Sequence, residues 1–399
     1  MTNDIFYYDV IVVGGGPIGS TFARYLAEKN YKVVILDKKY KIGFPLQCAG
    51  LVGSKIKELN ILPSDVIINK VYGAFLHSPL NYTFRVSKKE PAAYVLDRVA
   101  YDQFLLQKAV DKGSKLLLGH KVFDVDLKKG KVMAKYKNQI RIFKSRIIID
   151  AGGHSSIVSR KFNPHLKTFE AVQYLVELDQ NTFNTDNVHL HLNSNISPGF
   201  IWVIPLNDSM ARVGMFSKLD YHKMNRILLD FIEKDEQFEK STILKKYHGY
   251  IPIYDPKKKL VKDRAILLGD AASQVKPTTG GGLLIGFECA KIAAEVVEKA
   301  LSNNDITILT DYQRIYKKKF KSELNVQFQI QKTFELMQNN ELDLMFLKLK
   351  KEGAEKIISE FGDMDTQSPL IKEMIKSGVI FSVLPKVFFR RIRNLWRST

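Results

Sequence analysis

Residues 9–19 constrain this chain more than any other stretch. Asp9-Val10-Ile11-Val12-Val13 is a near-continuous apolar run, the pattern of a buried parallel strand. It leads directly into Gly14-Gly15-Gly16-Pro17-Ile18-Gly19. Gly14, Gly16 and Gly19 fall at the G-x-G-x-x-G spacing: the first for a tight turn, the second for backbone approach to a pyrophosphate, the third for helix–strand packing. Pro17 suits a first helical turn, where its missing N–H costs nothing. Ile18, Phe22, Tyr25 and Leu26 then recur at helical spacing. A second apolar run, Val33-Val34-Ile35-Leu36, ends at Asp37, the acid expected about twenty residues on to accept hydrogen bonds from a ribose. Strand, helix, strand and acid in this order predict a dinucleotide site.

The chain has 399 residues, enough for two or three lobes. Its net charge of +19 leaves two readings open: an anionic partner, or lysines spread over solvated faces. No arginine-rich run interleaved with aromatics lies in the body of the chain, so nucleic acid is not expected. Two cysteines, Cys48 and Cys289, make neither a disulfide framework nor a zinc site, which suits a reducing cytoplasm. No metal site is expected. The N-terminus lacks the pattern of a signal peptide. Nor does any stretch approach ~18 consecutive apolar residues, so no membrane span is expected.

Further along, Lys41 to Leu51 is a loop punctuated by glycine and proline where a cofactor would be covered. Tyr72 to Leu96 reads as short strands broken at Ser78-Pro79, and a helix begins at Asp97-Arg98 and ends at Gly113. Lys115 to Tyr136 is strand-like, and Ile147-Ile148-Ile149-Asp150-Ala151-Gly152-Gly153 is another buried strand and glycine turn. From Lys167 to Lys262 the pattern changes to antiparallel strands (171–178, 188–192, 200–204, 212–216) with a helix near 224–233. The first pattern returns in Ala265-Ile266-Leu267-Leu268-Gly269-Asp270, a strand ending in a carboxylate. The glycines of Pro277-Thr278-Thr279-Gly280-Gly281-Gly282 then precede a helix from Leu283 to Leu301, and from Asp305 the chain is mostly helical.

Asp270 is placed to accept from hydroxyls of a bound nucleotide, a charge-assisted bond worth ~1.5–3 kcal/mol. The turn before Leu283 aims a second helix N-terminus at the ligand. NAD needs one such cradle, whereas a longer ligand such as FAD uses two. Arg98 makes sense as a fixed cation near a pyrophosphate. His154 and His248 have no partner spacing and read as structural.

Together the first glycine motif, Asp97-Arg98, Asp150-Ala151-x-Gly153 and Gly269-Asp270-Ala271-Ala272 resemble the FAD fold of the p-hydroxybenzoate hydroxylase type. Pro45-Leu46-Gln47-Cys48-Ala49-Gly50, Lys276 to Gly282 and Phe361-Gly362-Asp363-Met364-Asp365 resemble the geranylgeranyl reductases, nearest the archaeal digeranylgeranylglycerophospholipid reductases. The family's aromatic motif P-x-x-Y-x-W-x-F-P is matched at Trp202 and Pro205, while Ser197, Phe200 and Ile204 depart from it.

The resemblance implies an α/β chain. A Rossmann-like FAD-binding domain (1–71, 97–166, 263–304) carries an antiparallel-sheet substrate domain (72–96, 167–262) and a helical C-terminal region (305–399). It implies FAD contacts from Gly19, Asp37, Cys48, Ala49, Leu51, Arg98, Val122, Asp270, Gly282 and Leu283. It further implies saturation of prenyl double bonds in archaeal ether phospholipid precursors such as di-O-geranylgeranylglyceryl phosphate, by hydride from reduced flavin N5 and a proton from elsewhere. The rivals are another FAD oxidoreductase of the same fold, a monooxygenase or quinone-linked enzyme, and a non-catalytic prenyl-lipid carrier.

Such chemistry needs a dry apolar slot, for which Phe200, Trp202 and Phe216 are candidate walls. Cys48 is a candidate proton donor or flavin-side modulator, or else a small packing residue. A contact between Cys48 and Cys289 is conceivable, but no resting disulfide is expected. No second nucleotide fingerprint is visible. Electrons therefore come from transiently bound NAD(P)H, a ferredoxin or a reduced deazaflavin. Apolar residues from Val379 to Trp396 alternate with Lys386, Arg390, Arg391, Arg393 and Arg397, a basic amphipathic pattern suited to an anionic bilayer or to a docked terminal helix. The expected location is the cytoplasmic membrane face, peripherally bound.

Overall fold

The structure, a computed structural model, describes residues 5–162, 166–180 and 182–380. Parallel pairing organises its first half. Ile5–Val13 lies between Val33–Leu36 and Gln139–Asp150, with Val13 opposite Leu36 on one side and Asp150 on the other. Lys115–Leu117 and Ala265–Leu267 extend the parallel sheet at its two sides. Every residue of Val10–Val13, Val33–Leu36 and Ile147–Asp150 is buried, as expected when helices cover both faces. Helices Pro17–Ala27 and Leu283–Ser302 pack against each other on this sheet, bringing Phe22, Leu26, Ala290 and Ala293 into one core.

The second sheet has seven strands in the order Ser241–Pro252, Thr168–Leu178, Met210–Ser217, Ile201–Pro205, Asn187–His191, Gly73–His77 and Thr83–Ser87. All its pairings are antiparallel except Asn187–His191 with Gly73–His77. Helix Tyr221–Lys234 buries Met224, Leu228 and Ile232 against one face. A small sheet of Leu51–Gly53, Ala93–Leu96 and Ile67–Val71 follows the loop that ends at Leu51. The strands foreseen between residues 72 and 96 thus divide, since two join the large sheet and Ala93–Leu96 joins the small one.

Helices Thr310–Phe334, Asn339–Lys351, Ala354–Phe361 and Ser368–Lys376 form the C-terminal part. Among the described residues, no helix is long and apolar enough to cross a membrane. The basic amphipathic segment lies outside the described residues beyond Ile380. Ser241–Pro252 was not anticipated from sequence. Its run of Lys245, Lys246, Tyr247 and His248 carries no clean alternation, and its burial pattern shows a largely exposed edge strand.

Candidate functional site

Two helix N-termini open onto one cavity of about 1870 Å³. The first belongs to Pro17–Ala27, capped by Gly16 with Pro17 in its first turn. Gly14 has φ +103°, a conformation open to glycine, and a side chain there would strike the Ala151 carbonyl. A side chain on Gly19 would strike the Gly14 carbonyl, whereas one on Gly16 would meet nothing within 4 Å. That space is where a ligand's phosphates would sit. The second N-terminus is that of Leu283–Ser302, capped by Gly282. Its first amides, like those of the other helix, have no intrahelical acceptor. Both ends carry the positive pole of a helix dipole toward the cavity.

Asp37 lies at the end of its strand as expected and lines the cavity. Its Oδ2 accepts from the Gly15 amide at 2.7 Å and its Oδ1 from the Lys39 amide at 2.8 Å, so the acid also braces the glycine turn. Val122, on strand Lys121–Asp126, lines the same end of the cavity, as do Ala49, Leu51, Gly282 and Leu283 elsewhere along it. Asp270 follows the Ala265–Leu267 strand and faces the cavity, where burial pushes its carboxyl up to about 6 against the opposing pull of Arg98. Asp150 plays a different part. Ser156 Oγ lies 2.7 Å from both its oxygens and the Gly152 amide donates at 3.0 Å, so this buried acid holds the glycine turn.

Arg98 lines the cavity as a fixed cation. It donates through Nε at 3.1 Å and Nη2 at 3.0 Å to Asp102, one helical turn on. The i, i+4 spacing makes this pairing local and automatic once the helix forms. Its guanidinium also faces Cys48. Arg212, from the large sheet, adds a second guanidinium near Cys48 and donates to the Ala49 carbonyl at 2.7 Å. Cys48 therefore lies where the Lys41–Leu51 loop, the Arg98–Asp111 helix and the large sheet meet. Cys289 does not approach it. It is buried in the helix core, with its thiol pushed up by burial, and both cysteines are free.

Beyond Cys48 the cavity continues as an apolar chamber. Phe200 and Trp202 line it, their rings edge-to-face at 6.2 Å, with Leu76, Leu190, Met345 and Phe346 further on. Phe216 does not line it. It lies on the same sheet face as Ala171 and Trp202, but Phe200 and Phe169 pack over it and leave it 1% exposed. Gln173 Oε1 accepts from Trp202 Nε1 at 3.1 Å, while the buried Gln173 Nε2 has no partner among the described residues. An orphaned buried donor at a cavity wall is what a ligand acceptor would satisfy. His154 and His248 also line the cavity, each packed on Tyr250, and His248 Nε2 lies 3.2 Å from Glu170.

Several residues here gave no sequence signal. Arg212 and Gln173 each depend on a partner brought close by the fold, whereas Asp102 pairs within its own helix. The ion pair of Lys276 with Asp365 links two motifs that sequence could list but not join. The fold also gathers His77, His189 and His191, which no sequence spacing indicated.

The family model described as lycopene cyclase protein matches residues 9–370. An uncharacterized protein of Methanocaldococcus jannaschii is 33% identical, covering 94% of this chain and 98% of its own. Digeranylgeranylglycerophospholipid reductase 2 of Methanopyrus kandleri is 30% identical, covering 88% and 92%. Among solved structures, a geranylgeranyl bacteriochlorophyll reductase-like protein of Thermoplasma acidophilum has a TM-score of 0.84 at 24% identity, covering 98% of this chain and all of that one. A flavin-dependent brominase has a TM-score of 0.67 at 16% identity, covering 93% and 98%. The architecture is thus the Rossmann-like α/β fold shared by geranylgeranyl reductase-like proteins and flavin-dependent halogenases. The chain belongs to the lycopene cyclase protein family and, within it, to the geranylgeranyl reductases.

Proposed function

We propose that this chain binds FAD and saturates the geranylgeranyl double bonds of archaeal ether phospholipid precursors. One observation carries the reading: the nucleotide cradle and the apolar chamber are a single cavity of about 1870 Å³. That exceeds the ~300–1,000 Å³ of ordinary small-molecule sites and leaves room for a dinucleotide and a chain-like apolar ligand together. Relatives named digeranylgeranylglycerophospholipid reductase support the substrate class.

In this reading the residues at both glycine turns, with Asp37, Val122 and Asp270, hold the dinucleotide. Reduced flavin supplies the hydride for one alkene carbon when bound. The protein must then orient the alkene, exclude water and deliver a proton to the other carbon. Phe200, Trp202, Leu190 and Phe346 supply the dry walls, and Met337, Met345 and Met374 let the chamber follow a flexible prenyl chain. Gln173 Nε2 donates to a ligand acceptor beside Trp202. Cys48 lies where cradle and chamber join, and its thiol is the proposed proton source. Electrons enter from an external donor, NAD(P)H, a ferredoxin or a reduced deazaflavin. The basic amphipathic stretch after Ile380 is the proposed contact with the anionic membrane surface, at the cytoplasmic face.

The test is anaerobic. The purified chain, reconstituted with FAD and reduced with dithionite, is given an unsaturated archaeal ether phospholipid, and the product is weighed by mass spectrometry. A gain of two hydrogens per alkene is expected. Oxygen incorporation would instead indicate a monooxygenase, and a colourless protein that refuses FAD would remove the reading altogether.

A further inference from the structure

The geometry points to a second site: His77, His189 and His191 bind a divalent transition-metal ion on the face of the seven-stranded sheet opposite the cavity. Strand alternation separates the two faces. Ala74, Leu76, Val188 and Leu190 line the cavity, so the intervening His77, His189 and His191 project from the other side. Gly73–His77 and Asn187–His191 are parallel neighbours with His77 opposite His191, and His189 is two residues back on the same face. Residues 112 apart in sequence thereby meet. His77 Nε2 lies 3.0 Å from His189 Nδ1, and the His77 and His191 rings stack with centroids 4.2 Å apart.

Three features suit a metal better than a packed trio. First, the imidazoles are half-buried, and burial keeps them neutral, the form that ligates. Second, His77 has an outer partner. With the Thr83 hydroxyl donating to the Asn81 carbonyl at 3.1 Å, its oxygen can accept from His77 Nδ1–H at 2.8 Å. In that tautomer the Nε2 lone pair faces His189 Nδ1 at 3.0 Å inside the cluster, with an outer partner on the ring as in metal sites. Third, one ligand atom from each histidine lies within 4.8 Å of the others. Nitrogens around a tetrahedral zinc with bonds of about 2.0–2.1 Å sit roughly 3.4 Å apart. Tilting the stacked rings about their terminal torsions, which are broad for histidine, closes that difference. Carboxylate ligands are absent from the trio, which favours imidazole-preferring ions such as zinc over calcium or magnesium. Asp235, whose charge acts on His189, offers an acid close to the site.

The experiment uses the full chain without a polyhistidine tag, stripped with a chelator, dialysed and titrated with zinc chloride by calorimetry at neutral pH. One ion per chain is expected, with a melting temperature that rises on zinc addition. His77→Gln and His191→Asn should each weaken binding by more than ~10-fold, because a lost ligand costs more than a lost outer partner. Thr83→Val keeps all three ligands and should weaken binding by roughly 10-fold, so it remains informative if a histidine variant fails to fold. His222→Gln, on an exposed surface, should change nothing. The proposal is overturned if the wild-type chain takes up no zinc, or if zinc binds the His77 and His191 variants as tightly as the wild type.

Discussion

Lys276 Nζ and Asp365 Oδ1 lie 2.6 Å apart with side chains only 5% and 10% exposed, pinning the glycine-rich turn to the segment after helix Ala354–Phe361. Lys276 Nζ also donates to the Met364 carbonyl at 2.9 Å. Removing one partner leaves a buried charge uncompensated, so Lys276→Met or Asp365→Leu alone should cost about 3–5 kcal/mol of stability. The double variant Lys276→Met/Asp365→Leu should recover most of that loss. Urea unfolding of the four chains measures the coupling, and additive losses would refute it.

Gly16 and Gly19 are separable by the same reasoning. A methyl at position 19 falls on the Gly14 carbonyl, so Gly19→Ala should destabilise the fold itself. At position 16 a methyl meets open space and φ is −68°, which any residue adopts. Gly16→Ala should therefore keep its melting temperature within a few degrees yet bind FAD at least ~10-fold more weakly, because the methyl occupies the phosphate approach. Flavin fluorescence quenching beside a thermal melt tests both. Tight FAD binding by Gly16→Ala would show that phosphate lies elsewhere.

Asp270 gives the cradle a pH dependence. Its carboxyl is pushed up to about 6 by burial, opposed by Arg98. Ionised, it accepts strong hydrogen bonds; protonated, it must donate one of them. FAD affinity should fall as pH drops through about 6. Asp270→Asn cannot ionise, so it should bind FAD about 10- to 150-fold more weakly at neutral pH, the equivalent of ~1.5–3 kcal/mol. Its affinity should also lack the break near pH 6. A wild-type affinity flat across that range would exclude Asp270 from the contact.

Much of this architecture was legible because it rests on local pattern. The run Val10 to Val13, the three glycines and Asp37 lie within one βαβ unit, and periodicity with glycine spacing placed them correctly. Asp97 was readable as a helix start for the same reason, and its side chain does cap Val99 and Ala100. What escaped was non-local. Arg212 gave no signal because the Ala49 carbonyl it donates to lies 163 residues away. Phe216 is on the face the alternation indicates, but the Phe200 and Phe169 rings that cover it come from other strands and are not visible in its local pattern. The histidine trio was invisible because its members sit on strands paired across more than a hundred residues.

Cys48 faces Arg98 and Arg212 at the meeting point of cradle and chamber. Cys48→Ser preserves size and replaces the thiol by a far weaker acid. Alkene reduction should slow by ~10²- to 10⁴-fold, the usual worth of a positioned proton donor. FAD affinity should change by less than about threefold, because a serine at this position still fills the volume against the Gly50 amide. Single-turnover reduction of the lipid measures the first quantity and equilibrium flavin titration the second. Unchanged turnover would retire Cys48 as the proton source.

The histidine trio makes a prediction for stability in acid. Burial holds His77 at about 4 and His191 at about 3, and His189 is also lowered. The nearby groups act in opposite directions, since Asp235 favours a charged His189 while the histidines repel one another on protonation. Native values lie below the unfolded value near 6.5, so the unfolded chain takes up protons first. The trio's contribution is then complete above about pH 6.5 and is lost as pH falls through that value toward 4. Urea midpoints measured between neutral pH and pH 4.5 should decline less steeply in His191→Phe than in wild type, by the equivalent of about one proton. The substituted ring keeps the packing against Phe231, where His191 makes an edge contact at 4.7 Å, so the comparison isolates the titration. Identical slopes would mean that His191 is already solvated in the native state and is not held neutral by burial.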